Sequence, residues 1–196
     1  MRKNVCYHEA AHAIVHSLAG SKVYGMAVEN KSKKFPLPDD TNGICFIDCS
    51  RNASFILTHD PDGCLQVDKK LFNKYLSTLN KADRVRLISE LRAYICGTLA
   101  GFAAESMLAG KWLHGFSDSD MQEADLLCEL LPGGSEEWAY LAGETGKAVQ
   151  ALRPSLDKLA IHLDKLGIID FTTDEYAQKC LPESFSLKGW PRVPEP

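Results

Sequence analysis

Residues Tyr7-His8-Glu9-Ala10-Ala11-His12-Ala13 contain the pattern H-E-x-x-H. On an α-helix, side chains four apart lie one above the other on the same face. His8 and His12 can therefore aim imidazole nitrogens at one metal ion. Glu9, beside the first of them, can reach a water on that ion. Zinc held by two such histidines and a third protein ligand keeps one position for water, lowers its pKa to about 7 and polarises a peptide carbonyl. Glu9 would then take the water's proton and pass it to the leaving amine. The chemistry indicated is metal-assisted peptide hydrolysis, with His8 and His12 as metal ligands and Glu9 as the catalytic base. The plainer alternative is a surface helix with two solvated histidines. It fits poorly, because Ala10, Ala11, Ala13, Ile14 and Val15 make the segment apolar, and polar nitrogens in such a setting need partners.

The third ligand is left open by the pattern. His16 lies eight positions beyond His8, about 12 Å along a straight helix axis, too far to share one ion with it. His59 and His114 have no supporting pattern around them. Glu105 falls on a helix expected to pack against the first, where it could bind the ion or instead hold a ligand histidine by its other nitrogen. Asp118 and Asp120 stand where a later helix begins, and exposed backbone N–H groups favour a carboxylate there. Spacing alone does not separate these two.

The elements that must position these residues can be read from periodicity and punctuation. A first helix is expected over residues 4–18, stopping near Gly20. Residues 23–28 and 43–48 read as two short strands pairing antiparallel, with a Lys- and Pro-containing loop between them. Residues 51–63 read as irregular, and 67–79 as an amphipathic helix. A longer helix is expected over 81–109. On it Gly97 and Gly101, with Ala100, Ala103 and Ala104, form a smooth surface for close packing against the first helix. A helix over 120–131 would be capped by Ser117 or Ser119. Residues 136–168 read as helical with an interruption at Arg153-Pro154. A last helix over 174–180 would be capped by Thr172 or Thr173. The fold class is mainly α (α+β): one helical zinc-peptidase domain over residues 1–180 with a small antiparallel sheet of two or three strands. Residues 181–196 form a Pro-rich extended tail.

Composition narrows the function classes. The apolar fraction of 45% and charged fraction of 24% are those of an ordinary globular chain. A formal net charge of −4 offers no basic footprint for nucleic acid. The seven cysteines are odd in number, scattered and without C-x-x-C. That pattern argues against a disulfide framework and for a reducing, cytoplasmic setting. No apolar run reaches bilayer-spanning length. Cys45 and Cys49 share one face of the second strand and read as buried or half-buried thiols.

The order of motifs resembles the peptidase domain of the FtsH family. The resemblance is carried by His8-Glu9-Ala10-Ala11-His12-Ala13-Ile14-Val15, then two short strands, then Leu99-Ala100-Gly101-Phe102-Ala103-Ala104-Glu105. Ser117-Asp118-Ser119-Asp120 with Ala124, and the late stretch from Ala151 to Tyr176, complete it. It spans roughly residues 4–180. It implies that His8, His12 and Asp120 bind zinc and that Glu9 is catalytic. The family's aspartate is followed four residues on by Ala, which Asp120 with Ala124 satisfies and Asp118 with Gln122 does not. Glu105, and with it Asp118, is then placed behind the ligands. The strand at 43–48 becomes the sheet edge where an extended protein or peptide substrate adds as a further strand.

The departures are Ala11 in place of the family's glycine, a longer connection over 51–79 that could serve as a lid or partner surface, and no G-x-x-x-x-G-K-[ST] loop. The implied function is an ATP-independent zinc endopeptidase acting on unfolded or flexible segments, with homo-oligomerisation left open. The alternative is a zinc-stabilised adaptor or interaction module that has lost proteolysis.

Overall fold

The computed structural model describes residues 2–29, 33–38, 41–48, 57–59, 65–111, 118–182 and 190–191. The chain is mainly helical with a small antiparallel sheet. Helix α1 (Arg2–Leu18) is its axis: Cys6, Tyr7, Ala10, Ala11, Ala13, Ile14 and Val15 are all buried. Alanine is the best intrinsic helix former, and its small side chain lets other elements close in from several sides. The helix stops in a left-handed glycine turn: Gly20 has φ +85°, Gly20 N–H donates to Ser17 O at 3.0 Å and Ser21 N–H to His16 O at 2.9 Å. That pair of bonds satisfies the last free carbonyls of the helix.

Strand β1 (Val23–Ala27) follows and is the centre of a three-stranded sheet in the order β2-β1-β5, with β2 (Ile44–Ile47) on one edge. Both neighbours are antiparallel; Met26 stands opposite Cys45 on one side and Ile169 on the other. Strand β5 (Ile168–Asp170) was not expected. Its three residues are too few to show a period, and it becomes a strand because Gly167 (φ +76°) turns the chain out of the preceding helix beside β1. A second small antiparallel pair joins β3 (Leu57–His59), within the stretch read as irregular, to β4 (Leu65–Val67), which lies beyond it and includes Val67, read as helical. Helix α2 (Lys69–Thr78) is capped by Asp68, whose side chain accepts from Leu71 N–H at 2.8 Å, and buries Phe72.

The long helix expected over 81–109 is two: α3 (Lys81–Thr98), capped by Asn80, and α4 (Ala100–Ala109), meeting at Leu99. Backbone bonds still run through the junction, from Leu99 N–H to Ile95 O and from Ala103 N–H to Leu99 O. The interruption falls where the Gly97 carbonyl accepts a hydrogen bond from His12 at 2.8 Å, a side-chain intrusion of the kind that breaks a helical ladder. Both α3 and α4 pack on α1.

Helix α5 (Asp118–Cys128) begins two residues earlier than expected, so Ser119 lies inside it and is not its cap; Ser117 is outside the described residues. Helices α6 (Glu136–Ala151) and α7 (Arg153–Leu166) part at Leu152, with Pro154 in the first turn of α7 where its missing N–H costs nothing. The last helix, α8 (Glu175–Cys180), is capped by Asp174, not by Thr172 or Thr173. Both threonines hydrogen-bond to Asp170 instead. Arg92 on α3 grips Glu137 on α6 through two hydrogen bonds of 2.6 and 2.8 Å, and Glu137 also accepts from Gly133 N–H. This half-buried bidentate pair fixes the turn between α5 and α6 against α3. Among the described residues, no helix is long and apolar enough to cross a membrane.

Candidate metal centre

Helix α1 presents His8 and His12 on one face, toward the beginning of α5. His8 Nε2 lies 3.1 Å and His12 Nε2 3.3 Å from the same oxygen, Asp120 Oδ2. The two Nε2 atoms are 2.9 Å apart. His8, His12 and Asp120 form a group that could hold a metal ion. Asp120 lies more than a hundred residues along the chain from the two histidines and is brought to them by the packing of α1 and α5 around α3 and α4.

The remaining ring nitrogens decide what the group wants. His12 Nδ1 donates to the Gly97 carbonyl at 2.8 Å, and a carbonyl oxygen only accepts. His8 Nδ1 faces Glu105 Oε1 at 3.2 Å. With both Nδ1 atoms donating, both Nε2 atoms turn lone pairs inward, toward each other and toward a carboxylate oxygen. Three acceptors converging on one point are stable only around a cation, whether a proton or a metal ion.

The acid–base character agrees. Burial works against a charged His8, but hydrogen bonds to Asp120 and Glu105 and the charge of Glu9 outweigh it and push its pKa up to about 10. For His12, burial is likewise outweighed, chiefly by the Asp120 charge, and its pKa is raised. Burial alone would raise the Asp120 carboxyl; the two histidines instead hold it well below the usual carboxylate range. Without metal, then, the cluster retains protons at neutral pH, and an entering ion must displace them. Metal affinity should therefore rise with pH between 6 and 8, by about tenfold per unit for each proton displaced. Calorimetry in buffers of differing ionisation enthalpy should register release of at least one proton per ion bound; a pH-independent affinity with no release would contradict this. In the metal-free protein the raised His8 pKa adds stability that is fully present below its ordinary 6.5 and lost as pH climbs through about 10.

Two glycines make the packing possible. A Cβ at Gly101 would lie 2.4–2.5 Å from three atoms of the His8 ring, and one at Gly97 2.2–2.6 Å from the His16 ring. The small-residue surface expected on this helix is thus the seat of the histidines. Replacing Gly101 with alanine should tilt His8 away from Glu105 and weaken metal binding by about 10- to 100-fold, the cost usually seen when a ligand's outer support is lost. Competition against a chromophoric chelator measures it, and unchanged affinity would refute the steric reading.

A cleft of about 900 Å³ opens over the cluster. Its floor is α1; the stretch Thr41–Ile47 and the facing residues of α3, α4 and α5 form its walls. Glu9 lines it and is only 5% exposed. Burial raises the Glu9 pKa, against the charges of His12 and His8, which suits a group that must both take and return a proton. Strand β2 borders the cleft, and among the described residues no strand pairs with its outer edge.

Of the residues singled out by sequence, Glu105 touches His8, while the side chain of Asp118 lies outside the described residues. His16 does not join the cluster. It is buried over Gly97, its ring stacks on His12 at 6.3 Å between centroids, and burial with the nearby His12 pulls its pKa down to about 3. The side chain of His59, and all of His114, lie outside the described residues. No described residue of the 51–79 segment lines the cleft; Lys69 there pairs with Glu129, just past the end of α5.

Sequence reasoning missed Tyr94 and Glu123. Tyr94 O–H donates to Glu123 Oε1 at 2.9 Å, and both line the cleft. The signal was available: Glu123 is three residues after Asp120 and so shares its helix face.

Compared with known proteins, the chain matches no protein-family model and no characterised protein.

Proposed function

We propose that this protein is a zinc-dependent endopeptidase that cleaves unfolded or flexible protein segments, related to the FtsH-type peptidases its motif order resembles. The observation that carries the reading is the convergence of His8 Nε2, His12 Nε2 and Asp120 Oδ2 in a cleft that also holds Glu9. Two imidazoles and a carboxylate are a borderline donor set suited to zinc. Tetrahedral zinc with ligand distances of about 2.0–2.2 Å sets donors roughly 3.3 Å apart, close to the 2.9, 3.1 and 3.3 Å found here. Three protein ligands leave a fourth position open, the mark of a catalytic rather than a structural site.

When bound, zinc supplies Lewis acidity toward a water and a peptide carbonyl. The chain's own residues do the rest. Glu105 and the Gly97 carbonyl fix the tautomers and ring orientations of His8 and His12. The Glu9 carboxylate takes the proton of the attacking water and delivers it to the amine nitrogen as the C–N bond breaks. Strand β2, at the edge of the sheet beside the cleft, is where an extended substrate would lie as a further strand, main chain to main chain. An extended segment is what such an edge accepts, which favours unfolded or flexible stretches of protein as substrates. The test is digestion of a casein-type substrate by zinc-loaded protein beside its Glu9→Gln variant. Cleavage lost in the variant supports the reading. A wild-type protein that holds stoichiometric zinc, cuts nothing and captures a protein partner would favour the adaptor alternative.

A further inference from the structure

We propose that Gly43 is a positioning residue for the general base: the side chain it lacks is the room in which the Glu9 carboxylate sits. The inference rests on the peptidase reading above. Gly43 is buried and lies immediately before edge strand β2. A Cβ there would be 2.6 Å from Glu9 Oε1, 2.8 Å from Glu9 Cγ and 2.6 Å from Val5 Cγ1. Contacts below 3.0 Å do not survive, so something must yield. Every one of these atoms belongs to a side chain of α1, and none to backbone. The flexible Glu9 carboxylate yields more readily than the stiff, β-branched Val5 side chain that the same Cβ would meet.

Among the described residues the Glu9 carboxylate makes no hydrogen bond, whereas His8 and His12 are each tethered through Nδ1. Its seat against Gly43 is what orients it. The register adds a consequence: the chain passes Glu9 at Gly43 and enters β2 at the next residue. The strand that would align a substrate and the seat of the base are thus one continuous piece of backbone. A misplacement of about 1 Å in a catalytic group can cost 100-fold in rate, so a single methyl at position 43 should act on turnover while sparing binding.

The test uses the full chain as wild type, Gly43→Ala and Glu9→Gln. Measured for each are zinc content, Tm, kcat and KM on a quenched-fluorescent unfolded peptide, and the pH midpoint of the visible spectrum after cobalt(II) replaces zinc. Gly43→Ala should keep one zinc per chain and a Tm within about 4 °C of wild type. Its kcat should fall roughly 10- to 100-fold with KM changed less than about twofold. Its cobalt midpoint should move in the same direction as that of Glu9→Gln. A wild-type kcat and cobalt midpoint in Gly43→Ala would overturn the proposal, as would loss of zinc together with the fall in kcat. Should Gly43→Ala fail to fold, Val5→Ala/Gly43→Ala removes the apolar collision and is measured against Val5→Ala; failure of the double variant to fold also overturns it. If the wild-type protein binds zinc and cleaves nothing, the peptidase reading is wrong. The cobalt midpoint then decides the Gly43 claim alone: a shift like that of Glu9→Gln supports it, and a wild-type value defeats it.

Discussion

Replacing Glu9 with glutamine is expected to reduce cleavage of an unfolded substrate by about 10²- to 10⁴-fold, the range that a positioned general base contributes, while zinc stays bound. Glutamine keeps the shape of the side chain and so keeps its seat against Gly43. What it removes is the capacity to accept a proton. Glu9 is not one of the three converging donors, so the metal should remain at one per chain. The loss should appear in kcat rather than KM, because the proton moves only as the transition state is reached. Elemental analysis alongside steady-state kinetics measures both. Zinc lost with activity would move Glu9 into the ligand set; activity retained would remove it from the chemistry.

Asp120→Ala should have the second large effect, this time on the metal. One of three donors disappears, and with it the single negative charge that both imidazoles face within 3.3 Å. Affinity should fall by more than the roughly 100-fold that outer supports of a ligand are worth, and stoichiometric zinc should no longer survive dialysis against a mild chelator. The two imidazoles would also lose the hydrogen bonds and charge that raise their pKa values, so in the metal-free variant both should titrate lower than in the wild-type protein, as proton NMR of the ring resonances can follow. Asp120→Asn separates charge from shape: it keeps an oxygen donor, and its affinity should fall between those of the wild type and the alanine variant. Retention of tight zinc by Asp120→Ala would mean that another donor completes the site.

How much of this was legible in the chain follows from the range of the interactions. The spacing of His8 and His12 is local, and one turn of helix converts it into a shared face. The Gly97–Gly101 surface was legible as a place of close packing, and Gly20 and Pro154 mark their helix ends by their own backbone chemistry. What stayed hidden depends on partners distant in the chain. The bond from His12 to Gly97 joins residues 85 apart and coincides with the break at Leu99, and nothing near Leu99 announces it. Strand β5 exists because β1 offers it an edge. Gly43 reads from sequence as the start of a strand; only the approach of α1 shows that its missing side chain makes room for Glu9. Asp118 and Asp120 are equivalent by spacing, and only the family pattern chose between them; the fold then places the Asp120 carboxylate against both imidazoles.

Zinc K-edge X-ray absorption of the purified, zinc-loaded protein tests the central claim most directly. The account predicts one zinc per chain, four nitrogen or oxygen neighbours at about 2.0–2.2 Å and the multiple-scattering pattern of two imidazoles. A sulfur neighbour at about 2.3 Å, which Cys45 in the cleft wall could supply, or a protein that takes up no stoichiometric metal, would contradict it.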